Sequence, residues 1–310
     1  MSVDLKELAT RGSPLTSGHR LCDGCAAPTI AKQVMLGAGK PVVIVQPTGC
    51  LEISSVVFPY TAWKTPYYHN AFENAAAVAS GIEAALKARK RRGDLPPDFD
   101  VAIVAIGGDG GTYDIGLQAL SGALERGHRM LYVCYDNGAY MNTGIQRSGA
   151  TPFGAWTTTS HVGSAHKGKM QHRKDLTAIA ADHNAAYVAQ ASPHNFRDLM
   201  RKVKKAVDAD GASFINVISP CWRGWRFPEE ETIEMARLAV ETCYWPLYEV
   251  EKGKVTVNYV PREKKPVSEW LKKQGRFSHF FAPGNEWMIA ELQAEVDRKW
   301  EELLARAGQR

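Results

Sequence analysis

At 310 residues the chain is long enough to bury a large core, and no break in composition divides it, so one large domain with appendages is expected. Its 38 Lys and Arg against 33 Asp and Glu leave a net charge of only +5, and the one basic run, Lys87 to Arg92, closes an Ala-rich helix where cations suit the helix C-terminus. No nucleic-acid partner is expected without aromatic interleaving or a fold signature, and no membrane span without an apolar stretch near the roughly 20 residues one needs.

The chain opens on MSVDLKELAT, which has no apolar h-region, so a soluble cytoplasmic protein is expected, whose six cysteines are not a disulfide framework. GHRLCDGC then sets Cys22 and Cys25 in a C-x-x-C, a spacing that points to metal binding or redox chemistry. Apolar, β-branched runs follow at 41–46, 101–108, 129–136, 185–190 and 213–219. Helical stretches lie between them at Glu73 to Lys90, Ile115 to Glu125, Leu176 to Ala181 and Phe196 to Val207. Such strands belong in a parallel sheet covered on both faces, and the alternation predicts a doubly wound α/β fold.

After Pro228 the pattern changes. A hairpin is expected to turn near Lys252-Gly253, and the chain ends in a helix with Ile289, Leu292, Val296, Trp300 and Leu303 on one stripe. Residues 1–228 are therefore read as the α/β domain, and 229–310 as an extension packing on it or on a partner.

In an open α/β sheet, ligands bind beyond the carboxyl ends of the strands. The predicted strands are followed by PTGC, GGDGGTYDIG, NGAYMNTG and PC, so Cys50, Asp109, Asn137 and Cys221 should share one edge. The glycines of GGDGG let backbone N–H groups approach a phosphate closely, and a carboxylate among them calls for a divalent cation in between. Asp-Gly alone is also a common turn, so the weight falls on Asn137 after the next strand. Four thiolates, those of Cys22, Cys25, Cys50 and Cys221, can bind Zn²⁺ or an iron–sulfur cluster. A zinc ribbon pairs two knuckles and this chain has one, whereas clusters accept dispersed cysteines. Cys134 and Cys243 are expected to be buried small apolar residues.

A G-D-G followed at this distance by Asp136-Asn137 resembles the thiamine diphosphate motif. With GHRLCDGC, QPTGC, YHNAFENAAA, YDNGAYMNTGIQRSGATP, SPCWRGWR and ETCYWPLYEVEKG, nearly the whole chain is similar to the β subunits of the 2-oxoacid:ferredoxin oxidoreductases. The resemblance implies a thiamine diphosphate-binding type of α/β sheet, with Asp109, the Asn137 side chain and the Ala139 carbonyl ligating Mg²⁺. It places Gly24, Thr48, Gly49, Cys50, Gly108, Asp109, Gly110, Gly111, Asn137, Tyr140, Asn142 and Thr143 around the cofactor. It makes Asn142 the catalytic, substrate-facing residue, where the bare sequence suggests a turn former. By the same resemblance Cys22, Cys25, Cys50 and Cys221 hold one 4Fe-4S cluster. Ala26 departs from the family, whose C-x-x-C is generally followed by Gly, and Trp222 and its flanking arginines differ as well.

The implied reaction is oxidative decarboxylation of a small 2-oxoacid, pyruvate to acetyl-CoA and CO₂ or oxalate to CO₂, with electrons passing singly to ferredoxin. The glutamate that activates the cofactor belongs to a different domain or subunit in this family; Glu52 and Glu73 are candidate carboxylates of this chain nearby, with ordinary helix and turn roles expected for both. The expected partners are a pyrimidine-binding α-type subunit and a ferredoxin-like or γ subunit. Two other classes compete: an iron–sulfur electron carrier or zinc-stabilised binding protein without thiamine chemistry, and an Mg²⁺-dependent phosphoryl-transfer enzyme, which lacks a P-loop lysine.

Overall fold

A computed structural model describes residues 5–309. Its centre is one eight-stranded sheet built from β1 (Val42–Pro47), β2 (Tyr67–Asn70), β3 (Ala102–Gly108), β4 (Leu131–Asp136), β5 (Tyr187–Ala191), β6 (Ser213–Ile218), β7 (Tyr248–Glu251) and β8 (Lys254–Val257). The spatial order is β2-β1-β3-β4-β6-β5-β7-β8. The first six strands run parallel, and the β7–β8 hairpin adds antiparallel to β5.

Both faces are covered, which explains why the central strands read as unbroken apolar runs. Ile103 and Ala105 of β3 face a core shared with the helix Ala75–Arg91, whereas Val104 and Ile106 face a second core built with the helices Ala26–Ala38 and Phe196–Asp208. The last two helices pack so closely that a Cβ on Gly37 would lie 2.9 Å from the Met200 Cα. The helix Ala26–Ala38 ends at Gly39 with φ 65°, and Asn195 caps Phe196–Asp208 by accepting the Asp198 N–H at 3.2 Å.

The C-terminal hairpin belongs to the same sheet, and the helix Glu286–Arg306 lays Met288, Leu292, Val296, Trp300 and Leu303 into the first core. Ile289, expected on that stripe, sits at its margin, and Met288 is the buried residue in its place. No helix of the described residues is long and apolar enough to cross a membrane.

The chain leaves β1 for β2 on one side and returns to β3 on the other. A crevice therefore opens beyond the carboxyl ends of β1 and β3, where the direction of winding reverses. That crevice positions the chemistry.

Candidate functional site

Beyond β1 lie Thr48, Gly49 and Cys50, and beyond β3 lie Asp109 and the π-helical turn Gly110–Ile115, where the sequence suggests a glycine-rich connection running into a helix from Ile115. A small cavity of about 30 Å³ between them is lined by Thr48, Gly49, Cys50, Phe72, Gly108, Gly110, Gly111, Tyr135, Asn137, Ala139, Tyr140, Met141, Asn142 and Thr143. Most of the residues expected around the cofactor thus meet at one place. Asp109 lies beneath them, and Gly24 stands apart in the cysteine knuckle, its carbonyl accepting the Thr232 hydroxyl at 2.6 Å. At Gly110 only hydrogen fits, because a Cβ would come within 2.4 Å of the Tyr140 ring.

Asp109 is fully buried. Its carboxylate accepts the Asn137 backbone N–H at 3.1 Å and the Ser148 hydroxyl at 2.5 Å. Burial first, and then the neighbouring Asp136 carboxylate, push its pKa well above the usual carboxylate range, against the pull of those two donors. A cation beside such a carboxylate would favour its charged form.

The Asn137 amide fits between two oxygens in either of two orientations. With its oxygen inward, that oxygen lies 2.9 Å from Asp109 Oδ1 and 2.8 Å from the Ala139 carbonyl, and the Ala139 N–H points at it from 3.3 Å. Three oxygens then meet with no proton between them. Turned over, the amide NH₂ donates to both oxygens instead. Adjacent ligands on octahedral Mg²⁺ are about 2.9 Å apart when the bonds are about 2.05 Å, so the first orientation has a spacing that could hold a cation, whereas the second is satisfied by hydrogen bonds within the chain.

Behind this loop stands a buried brace. Asp136 accepts the Gly138 N–H at 3.1 Å and the Tyr113 hydroxyl at 2.7 Å, and it pairs with Arg173. Trp225 donates its indole N–H to the Asn137 carbonyl at 2.6 Å, and Thr151 donates to the Gly138 carbonyl at 2.7 Å. These contacts hold Asn137–Gly138–Ala139 in the conformation that turns an amide and a carbonyl oxygen toward Asp109; Gly138 has φ 76°.

The four cysteines gather on the other side of Cys50. Cys25 precedes the helix Ala26–Ala38, Cys50 begins a short helix and Cys221 precedes another. Burial first, then the charges of the other thiols, push Cys25 and Cys50 up to about 12. Cys25 responds to Cys221 and Cys22, and Cys50 to Cys221, Cys25 and Cys22, so the four share one electrostatic neighbourhood. Among the described residues no three His, Cys, Asp or Glu side chains close around a single ion. A four-iron cluster asks for a wider set, since each thiolate binds a different iron. Cys134 and Cys243 are buried elsewhere.

Asn142 joins the two halves. It lines the small cavity together with Cys50, and its amide favours the charged form of that thiol. Glu52 is buried against His69 at 3.1 Å and Glu73 is exposed; neither lines the cavity. Ala26 packs into the core beside Ile30, away from the cavity.

Comparison with known proteins accords with this layout. Residues 47–217 match the family model described as thiamine pyrophosphate enzyme, C-terminal TPP binding domain. Pyruvate synthase subunit PorB of Thermotoga maritima is 53% identical, the match covering 98% of this chain and 96% of that protein. The chain belongs to the β subunits of the 2-oxoacid:ferredoxin oxidoreductases. Within that family, PorB of Methanocaldococcus jannaschii is 52% identical over 91% of this chain and 93% of its own. Ketoisovalerate oxidoreductase subunit VorB of Pyrococcus abyssi is 46% identical over 93% and 91%. The solved 2-oxoglutarate:ferredoxin oxidoreductase from Magnetococcus marinus shares the fold, with a TM-score of 0.55 at 22% identity over 74% of this chain and 81% of that one. This 2-oxoacid:ferredoxin oxidoreductase subunit thus carries a thiamine diphosphate-binding domain.

Proposed function

We propose that this chain binds thiamine diphosphate through Mg²⁺ and accepts the first electrons of a 2-oxoacid oxidation on a 4-iron cluster, with pyruvate as the substrate by likeness to the pyruvate synthase subunits. The observation that carries this is the juxtaposition at Asn142: the oxygen triad of Asp109, Asn137 and Ala139 on one side, the four cysteines on the other. When bound, thiamine diphosphate supplies a carbanion for attack on the 2-oxo carbon and a sink for the electrons left when CO₂ departs, and an iron–sulfur cluster takes electrons one at a time.

The chain's own residues do the rest. Asp109, Asn137 and the Ala139 carbonyl hold the cation against the diphosphate, while the glycines at 108, 110 and 111 keep side chains out of its way. Asn142 presents an amide N–H where negative charge develops on the keto oxygen. The activating glutamate comes from a pyrimidine-binding partner subunit, which leaves Glu52 to its pairing with His69.

The reading is tested by assaying the intact complex with pyruvate, 2-ketoisovalerate and oxalate, each with and without coenzyme A, using a dye acceptor. CoA-dependent dye reduction with pyruvate is expected. CoA-independent reduction with oxalate in place of pyruvate would reassign the substrate, and a complex with zinc and no iron or thiamine would remove the reading altogether.

A further inference from the structure

Arg276 comes after the last strand of the sheet, yet its side chain ends behind the loop Asn137–Gly138–Ala139. A Cβ on Gly138 would lie 3.2 Å from Arg276 Nη1, and the guanidinium shares a cavity of about 10 Å³ with Asp136, Gly138, Arg173 and Tyr244. Only 2% of the residue is exposed, and its Nε donates to the Gln274 side chain at 2.9 Å. The backbone beneath it is pinned as well: Gly275 donates its N–H to the Arg226 carbonyl at 3.0 Å, and the Arg276 carbonyl accepts the Trp156 N–H at 3.1 Å.

The guanidinium also lies 4.1 Å from the centre of the Trp225 ring, and Trp225 is the residue whose indole N–H the Asn137 carbonyl accepts at 2.6 Å. A cation over an indole face holds that ring in place when both are out of water. Arg276 therefore reaches the loop twice, once through the indole and once by packing directly on Gly138. With φ 76° and no side chain, Gly138 leaves the space that the guanidinium fills. Trp225 and Arg276 both lie outside the thiamine diphosphate-binding domain at 47–217, whereas Asp109, Asn137 and Ala139 lie within it.

We propose that Arg276 is a positioning residue for the cofactor's cation: by holding Trp225 and backing Gly138 it keeps the Asn137 amide and the Ala139 carbonyl turned toward Asp109, so that the chain after β8 completes the diphosphate site. The inference rests on the Mg²⁺ and thiamine diphosphate reading above. Arg276 does not line the cofactor cavity, so its loss weakens cation binding and spares the chemistry once the site is filled.

The test is the Mg²⁺ dependence of thiamine diphosphate binding and of turnover in the whole complex. In Arg276→Met the half-saturating Mg²⁺ concentration should rise about tenfold, the equivalent of one desolvated cation–aromatic contact, with turnover at saturating Mg²⁺ and iron content near the parent. Arg276→Lys keeps the charge without the flat, wide face and should fall between the two. Trp225→Phe removes the donor and should also raise the requirement; because the two residues act on one loop in series, the double variant should fall short of the product of the single shifts. If Arg276→Met fails to assemble, Gln274→Leu, which frees the guanidinium from its acceptor, carries the test with a rise of about threefold. An unchanged Mg²⁺ requirement in the assembled variants, or single shifts that multiply in the double variant, overturns the proposal. So does a lowered requirement in Arg276→Met, which would show repulsion between two cations to outweigh positioning. Parent binding of thiamine diphosphate that is indifferent to Mg²⁺ overturns the cation reading instead.

Discussion

Trp222 donates its indole N–H to the carbonyl oxygen of Asp23 at 2.7 Å, joining the turn after β6 to the C-x-x-C knuckle at the other end of the chain. The bond sets Cys221 beside Cys22 and Cys25, residues that no local structure connects. Trp222→Phe keeps a ring and removes the donor, at a cost of about 1 kcal/mol. Iron should then leave the complex about fivefold faster under chelator challenge. Release at the parent rate would mean that the other contacts of the knuckle, the Thr232–Gly24 bond among them, suffice to hold the cysteines in place.

The four cysteines should behave as a set. Cys22→Ser, Cys25→Ser, Cys50→Ser and Cys221→Ser are each expected to abolish the visible absorbance of the cluster, whereas Cys134→Ser and Cys243→Ser should leave iron content as it was. Unchanged iron and sulfide in Cys50→Ser would show that this thiol is not a ligand.

Asp109 and Ser148 give a graded pair of tests. Asp109→Ala should release thiamine diphosphate while iron stays bound, and exhaustive removal of Mg²⁺ should do the same. Ser148→Ala deletes the 2.5 Å bond to Asp109. A hydrogen bond to a charged group contributes about 1.5–3 kcal/mol, so Mg²⁺-dependent cofactor affinity should fall by roughly ten- to a hundredfold. Calorimetry on the complex measures both, and full cofactor occupancy in Asp109→Ala would sink the cation assignment.

Much of this was legible in the sequence because strands buried on both faces leave continuous apolar runs, and β1, β3, β4, β5 and β6 each fall within two residues of such a run. The four-residue β2 escaped: YYHN carries two polar residues on an edge with little burial. The helices Ala26–Ala38 and Thr232–Glu241 were missed, the first because small residues blur its stripe. At the site, the residues that follow strands could be placed from sequence, since topology brings strand ends together. The brace could not. Arg173 and Ser148 lie in loops with no periodicity, and their roles exist only through contacts with Asp136 and Asp109. Asp136 itself was visible in the motif, but nothing local showed that its carboxylate turns back to hold Gly138.

Asn142 separates cofactor binding from chemistry. It is exposed at the mouth of the small cavity and its amide favours the charged form of the Cys50 thiol, so it bears on both the thiamine site and the cysteine cluster without belonging to the oxygen triad. The isolated chain should show no oxidoreductase activity even when loaded, because the activating carboxylate is assigned to a partner subunit. In the assembled enzyme, Asn142→Ala should lower turnover about a hundredfold to a thousandfold, the usual cost of losing one preorganised donor to a developing oxyanion. Thiamine and iron contents should stay normal, which distinguishes lost polarisation from lost cofactor. Asn142→Asp keeps the shape but turns an acceptor toward the same oxygen, and it should be at least as slow. If both variants turn over at nearly the parent rate, the residue is a turn former, and the chain contributes cofactor binding and electron exit alone.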